Sequence, residues 1–150
     1  MRTALALGLA LVLTACGTTV IPRQPRVLTV PGVVGTDMQV EIVDETGQLV
    51  DALAISGEEL TTTPMPLDGQ IVAWPGPTPN EVRVVWISSA CETAGRLTIS
   101  NPNKVTITPG PMVGCLAIGN HRAVDLVFRG PVNAPGLQVD LRPTPTEGDG

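Results

Sequence analysis

The sequence predicts an all-β fold in which two sheets pack face to face. Short segments alternate apolar with polar residues, as strands with one buried face do. The 150 residues include 16 glycines and 15 prolines, and these separate the segments at short intervals, as turns do in an all-β chain. Beyond residue 16, no segment keeps the apolar spacing of a helix over several turns. The length suits one domain, and no internal repeat is present.

Four of the alternating segments lie in the first half of the chain. They are RVLTV at 26–30, Met38–Ile42, Leu49–Ile55 and Gln70–Trp74. The turn sequence Asp44-Glu45-Thr46-Gly47 lies between the second and third segments and predicts a hairpin, with Gly47 available for a positive φ. The stretch Gly57–Asn80 is otherwise irregular and rich in proline, so the strand inside it should lie at a sheet edge.

The second half of the chain is more regular. Its strand-like segments are VRVVWIS at 82–88, LTIS at 97–100, KVTIT at 104–108, AVDLVF at 123–128 and Leu137–Leu141. Aromatic residues are only 2% of the chain, so Trp86 and Phe128 should join a core built mainly of Val, Leu and Ile. This pattern predicts a small two-sheet sandwich that resembles the immunoglobulin fold in architecture, without the cysteine and tryptophan spacing of immunoglobulin domains.

The first sixteen residues carry a targeting signal. Met1-Arg2-Thr3 is a short positive region, and Ala4–Leu13 is an apolar run of about ten residues, half of what a membrane-spanning helix requires. The run ends in Leu13-Thr14-Ala15-Cys16, which resembles the lipobox of bacterial lipoproteins. The resemblance implies that residues 1–15 are removed and that a diacylglycerol is attached to the sulfur of Cys16. The alternative is an ordinary secretory signal with a coincidental cysteine.

This resemblance sets the expected organisation and location of the chain. A signal peptide at 1–15 precedes a flexible tether at 16–24, a sandwich domain at 25–142 and a disordered tail at 143–150. The lipid would anchor the protein in the cell membrane or the outer membrane, with the domain facing the periplasm or the exterior. Gly17, rather than Asp, follows the lipidated cysteine, which in diderm bacteria implies sorting to the outer membrane.

With Cys16 used by lipid, two cysteines remain in an exported, oxidising setting, where pairing is favoured. A bond between Cys91 and Cys115 would close a loop of about 25 residues and stabilise the domain by about 3–4 kcal/mol. The alternative makes these two cysteines and His121 metal ligands. No closely spaced cysteine pair supports that alternative, so a disulfide and no metal site are expected.

Charge and motif content disfavour two classes of function. The formal net charge of −5 and the lack of a basic stripe argue against a nucleic-acid partner. A catalytic triad would need Ser88 or Ser89 with His121 and Asp125, but no nucleophile-elbow glycines flank those serines. The single histidine falls in the predicted turn 119–122, where it should be exposed to solvent. We therefore expect no catalytic residue and no cofactor.

Two further groups are candidate binding features. Asp44, Glu45 and Asp51 could meet across the hairpin to hold calcium, although their spacing does not match an EF-hand loop and a solvated acidic face is the simpler interpretation. The proline-rich stretch Pro64–Pro79 carries Trp74 and is a possible binding loop, because loops on a rigid sandwich often carry recognition. The alternative is an ordinary connection in which Trp74 covers the edge of the core.

Three classes of function remain. The sequence favours a lipid-anchored cell-envelope protein that acts as a non-catalytic binding or interaction module, with the membrane and an envelope protein or ligand as partners. The alternative is a structural or accessory subunit of an envelope complex, which would pair through a sheet edge. An envelope hydrolase ranks third, because the acid–base groups that it needs are missing.

Overall fold

The computed structural model describes residues 24–34, 36–67, 71–101, 103–110 and 119–141. The predicted signal peptide, Cys16, the tether up to residue 23, Cys115 and the predicted tail at 143–150 lie outside the described residues. Within the described part of the chain, no helix has the length and apolar character needed to cross a membrane.

Nine strands are present among the described residues, and they coincide with the segments that alternate in the sequence. They are β1 (Arg26–Val30), β2 (Met38–Asp44), β3 (Leu49–Ala54), β4 (Ile71–Pro75), β5 (Glu81–Ser89), β6 (Ala94–Asn101), β7 (Lys104–Pro109), β8 (Gly119–Phe128) and β9 (Gln138–Leu141). A four-residue helix, α1 (Gly57–Leu60), follows β3, and a 3₁₀ turn (Ala134–Gly136) precedes β9. The prediction of an all-β chain is confirmed.

The strands form two sheets, as predicted. The first sheet has the order β1-β2-β6-β7-β9, and the second has the order β3-β8-β5-β4. The predicted hairpin of β2 with β3 is therefore wrong, because these strands lie in different sheets and the turn at 44–47 connects one sheet to the other. All pairs in the second sheet are antiparallel, but β2 pairs with β6, and β7 with β9, in parallel. Both sheets of an immunoglobulin domain are antiparallel, so this mixed first sheet differs from that fold in strand direction.

The main core lies between the two sheets and is built from the alternate residues that each strand turns inward. On β5 these are Val82, Val84 and Trp86, and on β8 they include Val124, Leu126 and Phe128. Trp86 is almost fully buried, as its position in an apolar strand predicts. Facing residues from β2, β6 and β7 contribute most of the other side of this cluster, which is mainly aliphatic.

A second, smaller cluster lies on the outer face of the second sheet. The side chain of Ser56 accepts a hydrogen bond from the backbone N–H of Glu59 at 3.2 Å and so caps α1. This short helix then buries Leu60 against Val85 and Ala123. Because α1 and the chain after it lie on this face, they form one side of a groove on the surface of the second sheet.

Candidate functional site

Trp74 ends a row of four side chains that runs across the outer face of the second sheet. Strand register places Leu53 of β3 opposite Asp125 of β8, Asp125 opposite Arg83 of β5, and Arg83 opposite Trp74 of β4. Neighbouring residues in such a register share a face of the sheet. Trp74 is 38% exposed, which leaves much of a large indole open to solvent on an edge strand.

Arg83 is held at the centre of this row by a network of acceptors. Its Nε and Nη2 atoms donate to the two carboxylate oxygens of Asp125, each at 2.7 Å, in the bidentate arrangement that gives strong ion pairs. The same guanidinium pairs with Glu59 of α1 and donates to the hydroxyl of Thr63 at 3.2 Å. The hydrogen bond to Asp125 raises the pKa of Arg83, against the lowering effect of burial, and Glu59 adds to the rise. Arg83 therefore stays charged and orders the floor of the site.

A groove of about 550 Å³ opens between α1 and the end of β4, and we call it the Trp74 groove. It is lined by Glu59, Thr62, Thr63, Pro64, Trp74, Pro75, Gly76, Pro77 and Arg83. One wall is the chain that follows α1, and the other is Trp74 with the Pro-Gly-Pro sequence after it. The groove thus joins the two ends of the proline-rich stretch that the sequence marks as a possible binding loop.

Gly76 keeps the second wall of the groove close to β5. Its backbone N–H donates to the carbonyl of Glu81 at 2.9 Å. A Cβ atom built at this glycine would lie 2.5 Å from the Cβ of Glu81, so a larger residue would push the wall away from the sheet. Prolines on both sides fix φ and limit the motion of this segment. The wall is consequently preformed, which lowers the entropic cost of binding a ligand.

The chemistry of the groove suits an extended ligand with apolar faces. Trp74 offers a large flat surface at little conformational cost, and the prolines add rigid apolar surface. The polar groups on the floor are already bonded to one another. Glu59 is bonded to Arg83 as well, but its side chain is 49% exposed. The groove is therefore suited to bind such a ligand through a large apolar contact area and a matching shape.

The residues considered for a catalytic triad do not lie together in the structure. Ser88 lies on the inner face of β5, where its hydroxyl accepts a hydrogen bond from Arg122 at 2.7 Å. His121 lies opposite Ile87, on the outer face of the sheet. Asp125 is four residues further along β8, about 13 Å away by the rise of a strand, and binds Arg83. Ser89 accepts a hydrogen bond from the backbone N–H of Cys91. No Ser–His–Asp arrangement forms among these residues.

The prediction that 119–122 is a turn is wrong. Gly119 to Arg122 form the beginning of β8 and pair with Ser89 to Trp86 of β5. His121 is therefore half-buried within a strand and is not a solvent-exposed turn residue. The polar sequence suggested a turn, but pairing along the whole length of β5 extends the strand by four residues beyond the predicted start.

The acidic residues considered for calcium have other partners. One carboxylate oxygen of Asp44 accepts hydrogen bonds from the N–H and hydroxyl of Thr46 at 2.9 and 2.6 Å, and the other accepts from the N–H of Leu49 at 2.9 Å. Burial raises the pKa of Asp44, but these hydrogen bonds outweigh it and lower the pKa overall. Asp51 pairs with Arg26 at 3.1 Å. Among the described residues, no group of three His, Cys, Asp or Glu side chains is placed to hold a metal ion.

A buried arginine, which the sequence analysis missed, lies at one end of the core. Arg122 is fully buried and occupies an inward position of β8 opposite Trp86. Glu92 is only 2% exposed, and its carboxylate accepts from the backbone N–H groups of Ser89 and Gly110. Burial raises the pKa of Glu92 and lowers that of Arg122, and the opposite charge of each opposes the shift of the other. The alternation of AVDLVF, when continued back to residue 122, places Arg122 on the inward face of the strand. This pattern in the sequence would have predicted that Arg122 is buried.

A second depression, of about 680 Å³, lies where the chain enters β1, and its charged groups mostly satisfy one another. It is lined in part by Arg26, Arg96, Arg129, Glu41 and Asp44. Arg96 pairs with Glu41 at 2.7 Å, and Arg26 pairs with Asp51. The Trp74 groove is the stronger candidate because it combines an exposed aromatic side chain with preformed walls.

Fold and groove together define an all-β protein of two packed sheets with a surface groove at one sheet edge. Comparison of the chain with models of known protein families, with curated proteins and with solved structures found no significant match. The groove and the sequence are therefore the features of this protein that bear on its function.

Proposed function

We propose that this chain is a lipid-anchored cell-envelope protein whose domain is a non-catalytic module that binds an envelope partner through the Trp74 groove. The observation that carries this proposal is the exposed indole of Trp74, set beside a fixed Arg83–Asp125 pair and framed by prolines. Exposed aromatic residues in preformed surroundings are the usual anchors of binding sites. The lipobox Leu13–Cys16 supports the anchor and the location in the cell membrane or outer membrane.

The edge strands favour this binding module over the alternative, an accessory subunit that pairs through a sheet edge. The described edge strands are short, with five residues in β1, six in β3, five in β4 and four in β9. β3 is also interrupted by a register shift between Leu49 and Asp51, and β4 ends in Pro75. Short, bulged and proline-ended edges resist the addition of a further strand.

Cross-linking in intact cells tests the groove as a binding site. A photo-activatable amino acid at Thr62, on the groove wall, should capture a partner, whereas the same group at the exposed Thr29 of β1 should not. Trp74→Ala should lower capture from Thr62 by about tenfold or more, as loss of an aromatic anchor does. The matched change Val27→Ala removes an exposed apolar side chain from the first sheet and should leave capture unchanged. Equal capture by wild type and Trp74→Ala would overturn the proposal.

The proposal includes an immunoglobulin-like layering of the sheets with a disulfide between Cys91 and Cys115. Cys91 lies exposed in the turn between β5 and β6, and β8 begins at Gly119, four residues after Cys115 in the sequence. A bond between them would link the connection before β6 to the start of β8. Thiol counting on the exported protein under denaturing conditions should therefore find neither cysteine reactive before reduction and both reactive after it. Two reactive thiols before reduction would contradict the pairing.

A further inference from the structure

The ionised groups at the floor of the Trp74 groove leave one negative charge in excess. Arg83 is the one cation among the described residues that line the groove, and Asp125 already holds its guanidinium with both carboxylate oxygens. Glu59 is a second carboxylate on the same arginine, so two negative charges face one positive charge. Only Oε1 of Glu59 is bonded to Arg83, and no described residue donates to Oε2. Because this side chain is 49% exposed, a ligand can reach the unbonded carboxylate oxygen.

Trp74 is a second feature that favours a positively charged group in the ligand. The face of an indole attracts cations more strongly than that of any other aromatic side chain, and arginine is the most frequent partner. Trp74 lies opposite Arg83 in the sheet, Arg83 pairs with Glu59, and all three side chains line the groove. A cationic side chain that enters the groove therefore meets both an aromatic face and a carboxylate of opposite charge.

The rest of the groove surface suits an extended peptide. Pro64 in one wall and Pro75 and Pro77 in the other offer rigid apolar contact. The indole N–H of Trp74 bonds to no described residue, and it needs an acceptor once a ligand covers it. Backbone carbonyl groups of an extended peptide can supply that acceptor, and such peptides bind grooves of this kind at low entropic cost.

We propose that the Trp74 groove binds an extended peptide segment with a basic side chain, whose cation packs on Trp74 and pairs with Glu59. A volume of about 550 Å³ accepts a few residues of such a segment. The inference rests on the groove being the binding site proposed above and defines the partner as a protein that exposes a basic, extended segment.

Titration of the full chain, held in non-ionic detergent micelles, with two synthetic peptides tests this inference. The chain has two tryptophans, and Trp86 is only 1% exposed, so its indole N–H resonance is an internal control for that of Trp74. One acetylated peptide has an arginine between two pairs of prolines, and the other has norleucine in place of the arginine. The arginine peptide should shift the Trp74 resonance alone and bind about tenfold more tightly than the norleucine peptide.

Glu59→Gln tests the role of the carboxylate. The amide keeps the size of the side chain and an oxygen that Arg83 can bond, but it removes the negative charge. The preference for the arginine peptide should therefore fall from about tenfold to about threefold or less. Glu58→Gln removes the same charge from the same helix, but Glu58 is not among the described residues that line the groove. This control should leave the preference near its wild-type value.

Equal affinity of the two peptides, or an unchanged Trp74 resonance with both, would overturn the inference. Equal loss of preference in Glu59→Gln and Glu58→Gln would also overturn it, since the carboxylate in the groove would then have no special role. Tighter binding of a tetramer of N-acetylglucosamine than of the arginine peptide would assign the groove to a glycan instead. If the preference depends on Glu59 but capture from Thr62 in cells fails, only the envelope partner is wrong. If capture depends on Trp74 but the peptides bind equally, only the basic ligand is wrong.

Discussion

Replacement of Arg122 by methionine is expected to destabilise the domain by about 3–5 kcal/mol, the range found when one partner of a buried charge network is removed. The guanidinium donates from Nε to the hydroxyl of Ser88 at 2.7 Å, from Nη1 to the carbonyl of Val30 at 2.8 Å, and from Nη2 to the carbonyl of Thr36 at 2.8 Å. A longer bond of 3.3 Å reaches the carbonyl of Glu92. Arg122 thus connects the loop between β1 and β2 to β5 and to the turn that follows it.

The loss has two parts. Methionine fills a similar volume but cannot donate, so the buried carbonyl groups lose their partner. Glu92 also loses the positive charge that opposes the rise in its pKa. Burial already raises that pKa, so the folded state is penalised for ionising Glu92 as the pH rises above the usual carboxyl range. The cost of Arg122→Met should therefore be larger near pH 7 than near pH 4, where Glu92 is mostly protonated in the folded state.

Denaturant unfolding at both pH values measures this cost. Arg96→Met is the matched control, because Arg96 forms an exposed pair with Glu41 at 2.7 Å and its side chain is 59% exposed. Exposed pairs of this kind contribute about 0–1 kcal/mol. If Arg122→Met costs no more than Arg96→Met, the buried network does not stabilise the sandwich.

Replacement of Cys16 by serine is expected to abolish lipid attachment completely and to release any processed protein from a detergent phase into the aqueous phase. If Leu13–Cys16 is a lipobox, the acyl chains on Cys16 and its new amino terminus provide the membrane attachment, since two or more chains are needed for stable anchoring. The net charge of −5 gives no attraction to anionic lipids. Serine cannot form the thioether to diacylglycerol, so the variant should be released or remain an unprocessed precursor.

Detergent phase partitioning with labelled fatty acid measures this change directly. The wild type should carry label and enter the detergent phase, and Cys16→Ser should carry none. Cys91→Ser is the control, because it removes a thiol from the domain while leaving the lipobox intact. A wild type that carries no lipid and stays in the aqueous phase would contradict the anchor and the location that depends on it.

The amino-acid sequence by itself determined the strands and the faces that they bury. Alternation specifies which side of a strand is apolar, and each of the segments at 38–42, 82–88, 104–108 and 123–128 lies in a strand of the structure. The sequence also marked Trp74 and its prolines as a possible binding loop. These properties depend on neighbouring residues, so a local pattern is sufficient to predict them.

Only the tertiary structure decided which strands pair and which side chains from distant parts of the chain come into contact. Alternation gives a strand its faces but not its neighbours, so the parallel pairing of β2 with β6 is absent from the local pattern. The local alternation can place Arg122 on the inward face, but its partners became visible only when β1, the loop after β1, β5 and the turn after β5 brought it acceptors from residues 30, 36, 88 and 92. The Trp74 groove likewise requires α1 to fold over β5, because the pairing of Arg83 with Glu59 and Asp125 joins residues far apart in the chain. Long-range pairing sets these contacts, and it is encoded in the whole chain rather than in any one segment.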